Sequence, residues 1–195
     1  AYNDQTSYAM SFANDLVPED LKEKTKEFFR QSIIDQQYRL GTGFHGTANL
    51  LIGLRKAGLE DMIEQLLLQE KLPGWMYQIK QGATSIWERW NAMEEDGSIY
   101  DPEMNSFNHY AFGSVCEFIF ENIIGIRPDE EVPGFEKIII EPLILQSLCP
   151  ITFKHVTKKG NLNVEINSTN QKVIFNIEIP SGIKGELRLS KYQNI

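Results

Sequence analysis

Residues 82–110 read GATSIWERWNAMEEDGSIYDPEMNSFNHY and bring a carboxylate, indole rings, amides and an imidazole into one short stretch. Glu88 lies between Trp87 and Trp90, so one acidic side chain has two large apolar surfaces beside it. Indoles stack on sugar C–H surfaces, amides and imidazoles hydrogen-bond hydroxyl groups, and a carboxylate in a partly apolar setting serves as a general acid or base. The stretch therefore predicts a carbohydrate site. Its candidate residues are the catalytic Glu88 and the substrate-binding Trp87, Trp90, Asn108 and His109.

A purely structural interpretation of the same stretch stays open. Trp87 and Trp90 are three positions apart, so on a helix they would share one face and form part of the core, with Glu88 turned to solvent. A single histidine such as His109 on an apolar helix is more often a hydrogen-bonded structural residue than a catalytic one.

Composition limits the classes of ligand. The chain has 195 residues, 42% of them hydrophobic, which is enough for a core in one large or two small domains. Its 27 acidic and 19 basic residues give a net charge of -8, which argues against nucleic acids and anionic membranes as partners. No apolar run approaches the roughly 20 residues needed to span a bilayer. A neutral polar ligand is the better expectation.

The two cysteines, Cys116 and Cys149, show no spacing typical of a metal site. Cys116 falls within an apolar helical pattern. We therefore expect two buried free thiols, and neither a disulfide, a metal nor a cofactor.

The first two thirds of the chain have helical periodicity, interrupted by glycine and proline. Pro18 opens a helix that runs to about Asp35, and Gly58 ends a helix that follows the glycine-rich residues 40–47. A further helix is expected from Ser106 to near residue 125. It would be buried on nearly all sides, with Asn105 as its N-cap and with Asn108 and His109 in its first turn.

After residue 127 the apolar period changes from 3.6 to 2, which is typical of strands. The pattern predicts a mainly α region, residues 1–127, followed by a small antiparallel β domain, residues 128–195. The expected strands are 137–140, 151–156, 162–166, 172–179 and 185–189.

Four groups of residues also carry a family resemblance. They are Thr42-Gly43-Phe44 with Gly46-Thr47 and Leu50-Leu51, Gly82-Ala83-Thr84 with Trp87-Glu88-Arg89-Trp90, MNSFNHY at 104–110 with Gly113, and Gly125-Ile126 with Pro128-Asp129. In this order they resemble the C-terminal half of bacterial α-L-rhamnosidases of glycoside hydrolase family 78. The WERW and MNSFNHY strings are the specific part of the resemblance, which covers most of residues 5–145.

The resemblance implies part of an (α/α)6 toroid followed by a β-sandwich, and inverting hydrolysis of terminal α-L-rhamnosyl groups in a rhamnose-containing glycoside. It implies that Glu88 is the general base that activates water and that His109 contacts rhamnose hydroxyls. Inverting chemistry also needs a general acid roughly 6.5–9.5 Å from the base. In the family that acid lies in the first half of the toroid, and nothing upstream of Glu88 corresponds to it.

We therefore expect a fragment of a larger hydrolase that is inactive alone. Because apolar helix faces are uncovered, it should self-associate or be marginally stable. The nearby acids Glu94, Glu95, Asp96 and Asp101 are interpreted as a solvated loop. Two alternatives remain open. One is a non-catalytic carbohydrate-binding module, which would keep its sugar affinity as an isolated chain. The other is a different (α/α)6 enzyme, either another exo-glycosidase or a lyase, although a lyase would need a Tyr, His and Arg cluster that is not evident here.

Overall fold

The computed structural model of the chain describes residues 4–169 and 172–189. It divides into two compact units, Ala1–Val115 and Cys116–Ile195. The change of periodicity had placed the boundary after residue 127, beyond the last helix, whereas the compact units divide within that helix. None of the described helices is long and apolar enough to cross a membrane.

The helical elements confirm the ends predicted for two helices, near Asp35 and at Gly58. The 3-10 turn Glu19–Leu21 follows Pro18, and the helix after it ends at Asp35 as predicted. Gly58 has a φ of 69°, the left-handed conformation of a helix C-cap that glycine adopts without steric cost. The helices are α1 (Gln5–Ala13), α2 (Lys22–Asp35), α3 (Phe44–Ala57), α4 (Glu60–Leu67), α5 (Trp75–Lys80) and α6 (Ser114–Phe118).

The core of the first unit depends on a close approach of α1 and α3. A Cβ atom added to Gly53 on α3 would lie 2.6 Å from the carbonyl oxygen of Ala9 on α1, so no larger residue fits there. Phe12 on α1 stacks on Phe29 of α2 with ring centroids 5.9 Å apart. The fully buried side chains around them are Ile33, Leu50, Leu54, Leu59, Ile63 and Leu66.

The helix expected from Ser106 begins later than predicted. A 3-10 turn covers Ala111–Gly113, α6 begins at Ser114, and a π-helical turn covers Ile119–Ile123. Residues 106–110 are irregular because the Ser106 carbonyl and the His109 N–H bond to a distant part of the chain, while both backbone groups of Asn108 bond to the Ser106 hydroxyl. Asn108 and His109 therefore lie in a loop before the helix, and the predicted first-turn placement is wrong.

That distant partner is the stretch around the WERW string. The backbone N–H of Glu88 donates to the carbonyl of Ser106 at 2.8 Å, and the N–H of His109 donates to the carbonyl of Ile86 at 2.7 Å. These bonds join the two predicted site segments side by side. The WERW string is not helical, so the spacing of its tryptophans does not place them on one face.

The second unit contains two three-stranded sheets, ordered β1-β2-β6 and β3-β4-β5. The five predicted strands are confirmed within a few residues, and β1 is an additional short strand. The predicted antiparallel pairing is correct except for β2 and β6, which run parallel. The strands are β1 (Ile126–Pro128), β2 (Lys137–Ile140), β3 (Ile151–Thr157), β4 (Gly160–Ser168), β5 (Val173–Glu178) and β6 (Lys184–Leu187).

The two sheets share one hydrophobic core, as expected for a small sandwich. Alternate residues of β4 face this core, in keeping with the period of 2, and they meet isoleucines of β1 and β2. The central side chains of this core are Ile126, Ile138, Ile140, Leu162, Val164 and Ile166.

Neither cysteine forms a disulfide, but the expected burial is wrong for Cys116, which is exposed, and incomplete for Cys149, which is half-buried. The reason for Cys116 is the shortness of α6. Only one side of that helix is buried, the side that carries Val115 and Phe118.

Candidate active site

Glu88 lies on the wall of an open cleft of 680 Å³. This volume is within the range of roughly 300–1,000 Å³ that is usual for small-molecule sites. Within the described part of the chain, the Glu88 carboxylate has no hydrogen-bond or ion-pair partner, although the side chain is half-buried. Its oxygens are therefore available to a ligand or to water. The other residues that shape the cleft include Phe44, Leu72, Pro73, Trp90, Asn91 and Phe112.

The backbone on both sides of Glu88 is held in place. Its own N–H bonds to Ser106, and the carbonyl of the next residue, Arg89, accepts a hydrogen bond of 3.1 Å from the side-chain amide of the buried Gln78. The Arg89 guanidinium donates through Nε to the carbonyl of Met104 at 3.1 Å. A base must be held in a defined geometry to act on a water molecule, and these bonds supply that rigidity.

Trp90 forms part of the cleft wall and is fixed on several sides. Its ring stacks on Phe112 with centroids 3.8 Å apart and meets Trp75 at 5.4 Å in an edge-on arrangement. The indole Nε1 donates to the backbone carbonyl of Thr42 at 2.9 Å. Trp90 is thus a rigid, half-buried aromatic surface beside Glu88.

Trp87 has a different environment. It is 3% exposed, does not line the cleft, and packs edge-on against Phe107 with centroids 5.2 Å apart. The sequence had grouped Trp87 with Trp90 as sugar-binding residues. The structure brings only Trp90 to the cleft, because the irregular backbone turns the two side chains in different directions.

His109 lies one ring away from the cleft. Its imidazole stacks on Phe44, a cleft residue, at 5.2 Å, and on Tyr110 at 5.0 Å. The Nδ1 atom accepts a hydrogen bond of 3.2 Å from the backbone N–H of Ala111. A neutral imidazole with an accepting Nδ1 carries its proton on Nε2, so this atom is a donor for a ligand hydroxyl.

Asn108 is exposed and is not part of the cleft wall. Its backbone N–H donates to the hydroxyl of Ser106 at 3.2 Å, which shapes the loop that carries His109. Sequence reasoning also missed other residues of the cleft wall, among them Phe44, Leu72 and Pro73. The available signals were a phenylalanine within the glycine-rich residues 40–47 and a proline that interrupts the helical pattern.

The acidic loop after the WERW string does not contribute a carboxylate to the cleft. Glu94 accepts a hydrogen bond of 2.9 Å from Asn91. Asp96 accepts from the hydroxyl and the backbone N–H of Ser98, and these bonds lower the pKa of Asp96. Among the described residues, Glu88 is the one carboxylate of the cleft wall, and no group of acidic, histidine or cysteine side chains is arranged to hold a metal ion.

Comparison with known proteins covers nearly the whole chain. Residues 1–123 match the family described as the bacterial alpha-L-rhamnosidase 6 hairpin glycosidase domain, and residues 125–194 match the bacterial alpha-L-rhamnosidase C-terminal domain. An α-L-rhamnosidase of Alteromonas sp. (strain LOR) is 33% identical over 93% of the chain, and one of Streptomyces avermitilis is 40% identical over 71% of it. The chain spans only 20% and 13% of the lengths of these two relatives.

Solved structures agree with this match. The α-L-rhamnosidase of Streptomyces avermitilis, solved in complex with L-rhamnose, superposes with a TM-score of 0.85 at 31% identity and covers 95% of this chain and 18% of its own. The α-L-rhamnosidase of Aspergillus terreus gives a TM-score of 0.85 at 32% identity, with 95% and 21% covered. The helical unit, which contains the Glu88 cleft, and the β-sandwich that follows it thus match two consecutive domains of one kind of enzyme. The chain belongs to the bacterial α-L-rhamnosidase family.

Proposed function

We propose that this chain supplies the general-base part of an inverting α-L-rhamnosidase, with Glu88 as the base. The observation that carries the proposal is the Glu88 carboxylate, which has no partner among the described residues and lies on an aromatic cleft wall. The membership of the chain in the rhamnosidase family supports the choice of substrate, a terminal α-L-rhamnosyl group.

The chemistry requires the base to take a proton from water while that water attacks the anomeric carbon. A second carboxyl group must protonate the departing glycosidic oxygen, at roughly 6.5–9.5 Å from the base so that water fits between them. The described cleft has one carboxylate, and the chain spans a small part of its relatives' length. We infer that the acid comes from another part of the full-length protein.

The binding residues follow from the same cleft. Trp90 offers a rigid aromatic surface, and the Nε2 of His109 donates to a rhamnose hydroxyl. Asn108 precedes His109 in the same loop, and we infer that its exposed side chain contacts the sugar or the group attached to it. Trp87 supports the site from the core by packing against Phe107.

The test is Glu88→Gln in the full-length protein, which keeps the side-chain shape and removes the proton acceptor. We expect kcat on an aryl α-L-rhamnoside to fall by about two to four orders of magnitude with a smaller change in KM. Glu95→Gln, an exposed carboxylate of the acidic loop, is the matched control and should leave kcat unchanged. Near-normal turnover of Glu88→Gln would remove the assignment.

A further inference from the structure

Apolar side chains form part of the cleft lining. Phe44, Leu72 and Pro73 line the same 680 Å³ cleft as Glu88. Phe44 is 41% exposed, and Leu72 and Pro73 are half-buried, so each presents apolar surface to a ligand in the cleft. We refer to these three residues as the apolar wall.

The apolar wall is held in place by the fold. The backbone N–H of Leu40, a fully buried residue, donates to the carbonyl of Pro73 at 3.2 Å. Phe44 stacks on His109 at 5.2 Å and meets Phe112 edge-on at the same distance. The wall is therefore a preformed surface next to both the proposed base and the proposed hydroxyl donor.

The chemistry of the sugar indicates what such a wall would contact. Rhamnose is a 6-deoxy sugar: it carries a methyl group on C5 where mannose carries a hydroxymethyl group, and its other free substituents are hydroxyls. The polar side chains of the cleft, which include Glu88, Arg89 and Asn91, suit hydroxyls or water. The methyl group is the one substituent that gains by leaving water for an apolar surface.

We propose that the apolar wall receives the methyl group of rhamnose and that Leu72 determines the preference for the 6-deoxy sugar over L-mannose. This inference rests on the proposed function. An L-mannosyl group would direct its extra hydroxyl at the wall, whose three side chains offer no hydrogen-bond partner to replace water. A hydrophobic pocket rejects an analogue that carries one added hydroxyl by about 100-fold.

The experiment compares kcat/KM of the full-length protein on p-nitrophenyl α-L-rhamnoside and p-nitrophenyl α-L-mannoside. Leu72→Asn keeps four side-chain heavy atoms branched at Cγ and adds a hydrogen-bond partner for the hydroxymethyl group. We expect the rhamnoside-to-mannoside ratio to fall from on the order of 100 to below about 10. Leu68→Asn, the same change at an exposed leucine outside the cleft, is the matched control and should leave the ratio unchanged.

A second variant covers the case in which Leu72→Asn does not fold. Leu72→Ala removes the contact with the methyl group and opens space for the hydroxymethyl group, so the ratio should also fall, mainly through a lower kcat/KM for the rhamnoside. Inhibition by free L-rhamnose and L-mannose should shift in the same direction.

The outcomes separate the two proposals. A ratio that stays the same in both Leu72 variants, whether or not turnover falls, overturns the role of the apolar wall and leaves the proposed function standing. Absence of rhamnoside turnover in the unaltered full-length protein overturns the proposed function, and this inference falls with it.

Discussion

The side-chain amide of Gln78 on α5 donates a hydrogen bond of 3.1 Å to the backbone carbonyl of Arg89, the residue that follows Glu88. Gln78 is 3% exposed, so this bond is shielded from water. In such a buried setting, loss of a hydrogen-bond partner is costly. The carbonyl of Ser106 fixes the peptide on the other side of Glu88. The position of the proposed base thus depends on a buried amide outside the WERW string.

This relationship predicts that Gln78→Met in the full-length protein lowers kcat by about tenfold and changes KM little. Methionine has a similar shape but leaves the Arg89 carbonyl without its donor. The unpaired carbonyl costs about 1–3 kcal/mol, and the backbone shift that lets it find another partner displaces the base. Steady-state kinetics on an aryl rhamnoside provide the measurement. Gln65→Met, at an exposed position of α4, serves as the control. If Gln78→Met lowers thermal stability but leaves kcat unchanged, Gln78 has a purely structural role.

The hydrogen bond from the Ala111 N–H to Nδ1 of His109 predicts different roles for the two ring nitrogens. Nδ1 holds the loop, and Nε2 binds the sugar. His109→Ala in the full-length protein should weaken rhamnose binding by about 1–3 kcal/mol, because a sugar hydroxyl loses its donor. His109→Asn retains an acceptor near the Nδ1 position and should preserve the loop while binding stays weak. Calorimetry with L-rhamnose and thermal unfolding test both variants. Unchanged affinity with a large fall in thermal stability would show a structural histidine.

Stability at acid pH should depend on an ion-pair network in the β unit. Lys137 pairs with Asp129 at 2.7 Å and with Glu186 at 3.1 Å. Hydrogen bonds from Lys137 and from the Glu131 backbone lower the pKa of Asp129, and Arg188 and Lys137 lower that of Glu186. A carboxylate with a lowered pKa stabilises the fold above its unfolded-state pKa, and this contribution is lost as pH falls through the folded-state value.

The free energy of unfolding should therefore decrease as pH falls below the ordinary carboxylate values of 3.8 for Asp129 and 4.5 for Glu186. Urea denaturation of the chain at a series of pH values is the measurement. Asp129→Asn should flatten part of this acid dependence, whereas Glu130→Gln at an exposed neighbour should not. An identical pH profile in Asp129→Asn would contradict the assignment.

The chain by itself should not hydrolyse aryl rhamnosides, because its described cleft holds one carboxylate. We also expect it to self-associate, since Phe28, Phe44 and Tyr110 are exposed apolar surface. An assay of the purified chain and its mass in solution, compared with 22.4 kDa for a monomer, test these points. A monomer with full turnover would contradict both. Retained rhamnose affinity without turnover would favour the carbohydrate-binding module.

Much of the fold was predictable because local patterns are sufficient for it. The ends of α2 and α3 follow from Pro18 and Gly58, residues whose backbone preferences act locally. The strands of the β unit follow from alternation that matches burial, most clearly in β4. In the candidate site, Glu88 and Trp90, which the sequence had grouped, line one cleft, since they lie only two positions apart in the WERW string.

By itself the sequence determined the family, the order of helices and strands, and the residue proposed as the base. Tertiary structure decided the rest: the loop at Asn108 and His109, the burial of Trp87, the parallel pairing of β2 with β6, and the apolar wall beside Glu88. The physical reason is the difference in sequence range between the two kinds of interaction. Periodicity and turn residues act over a few positions, whereas backbone bonds such as the one from His109 to Ile86 join segments far apart in sequence and override local preference.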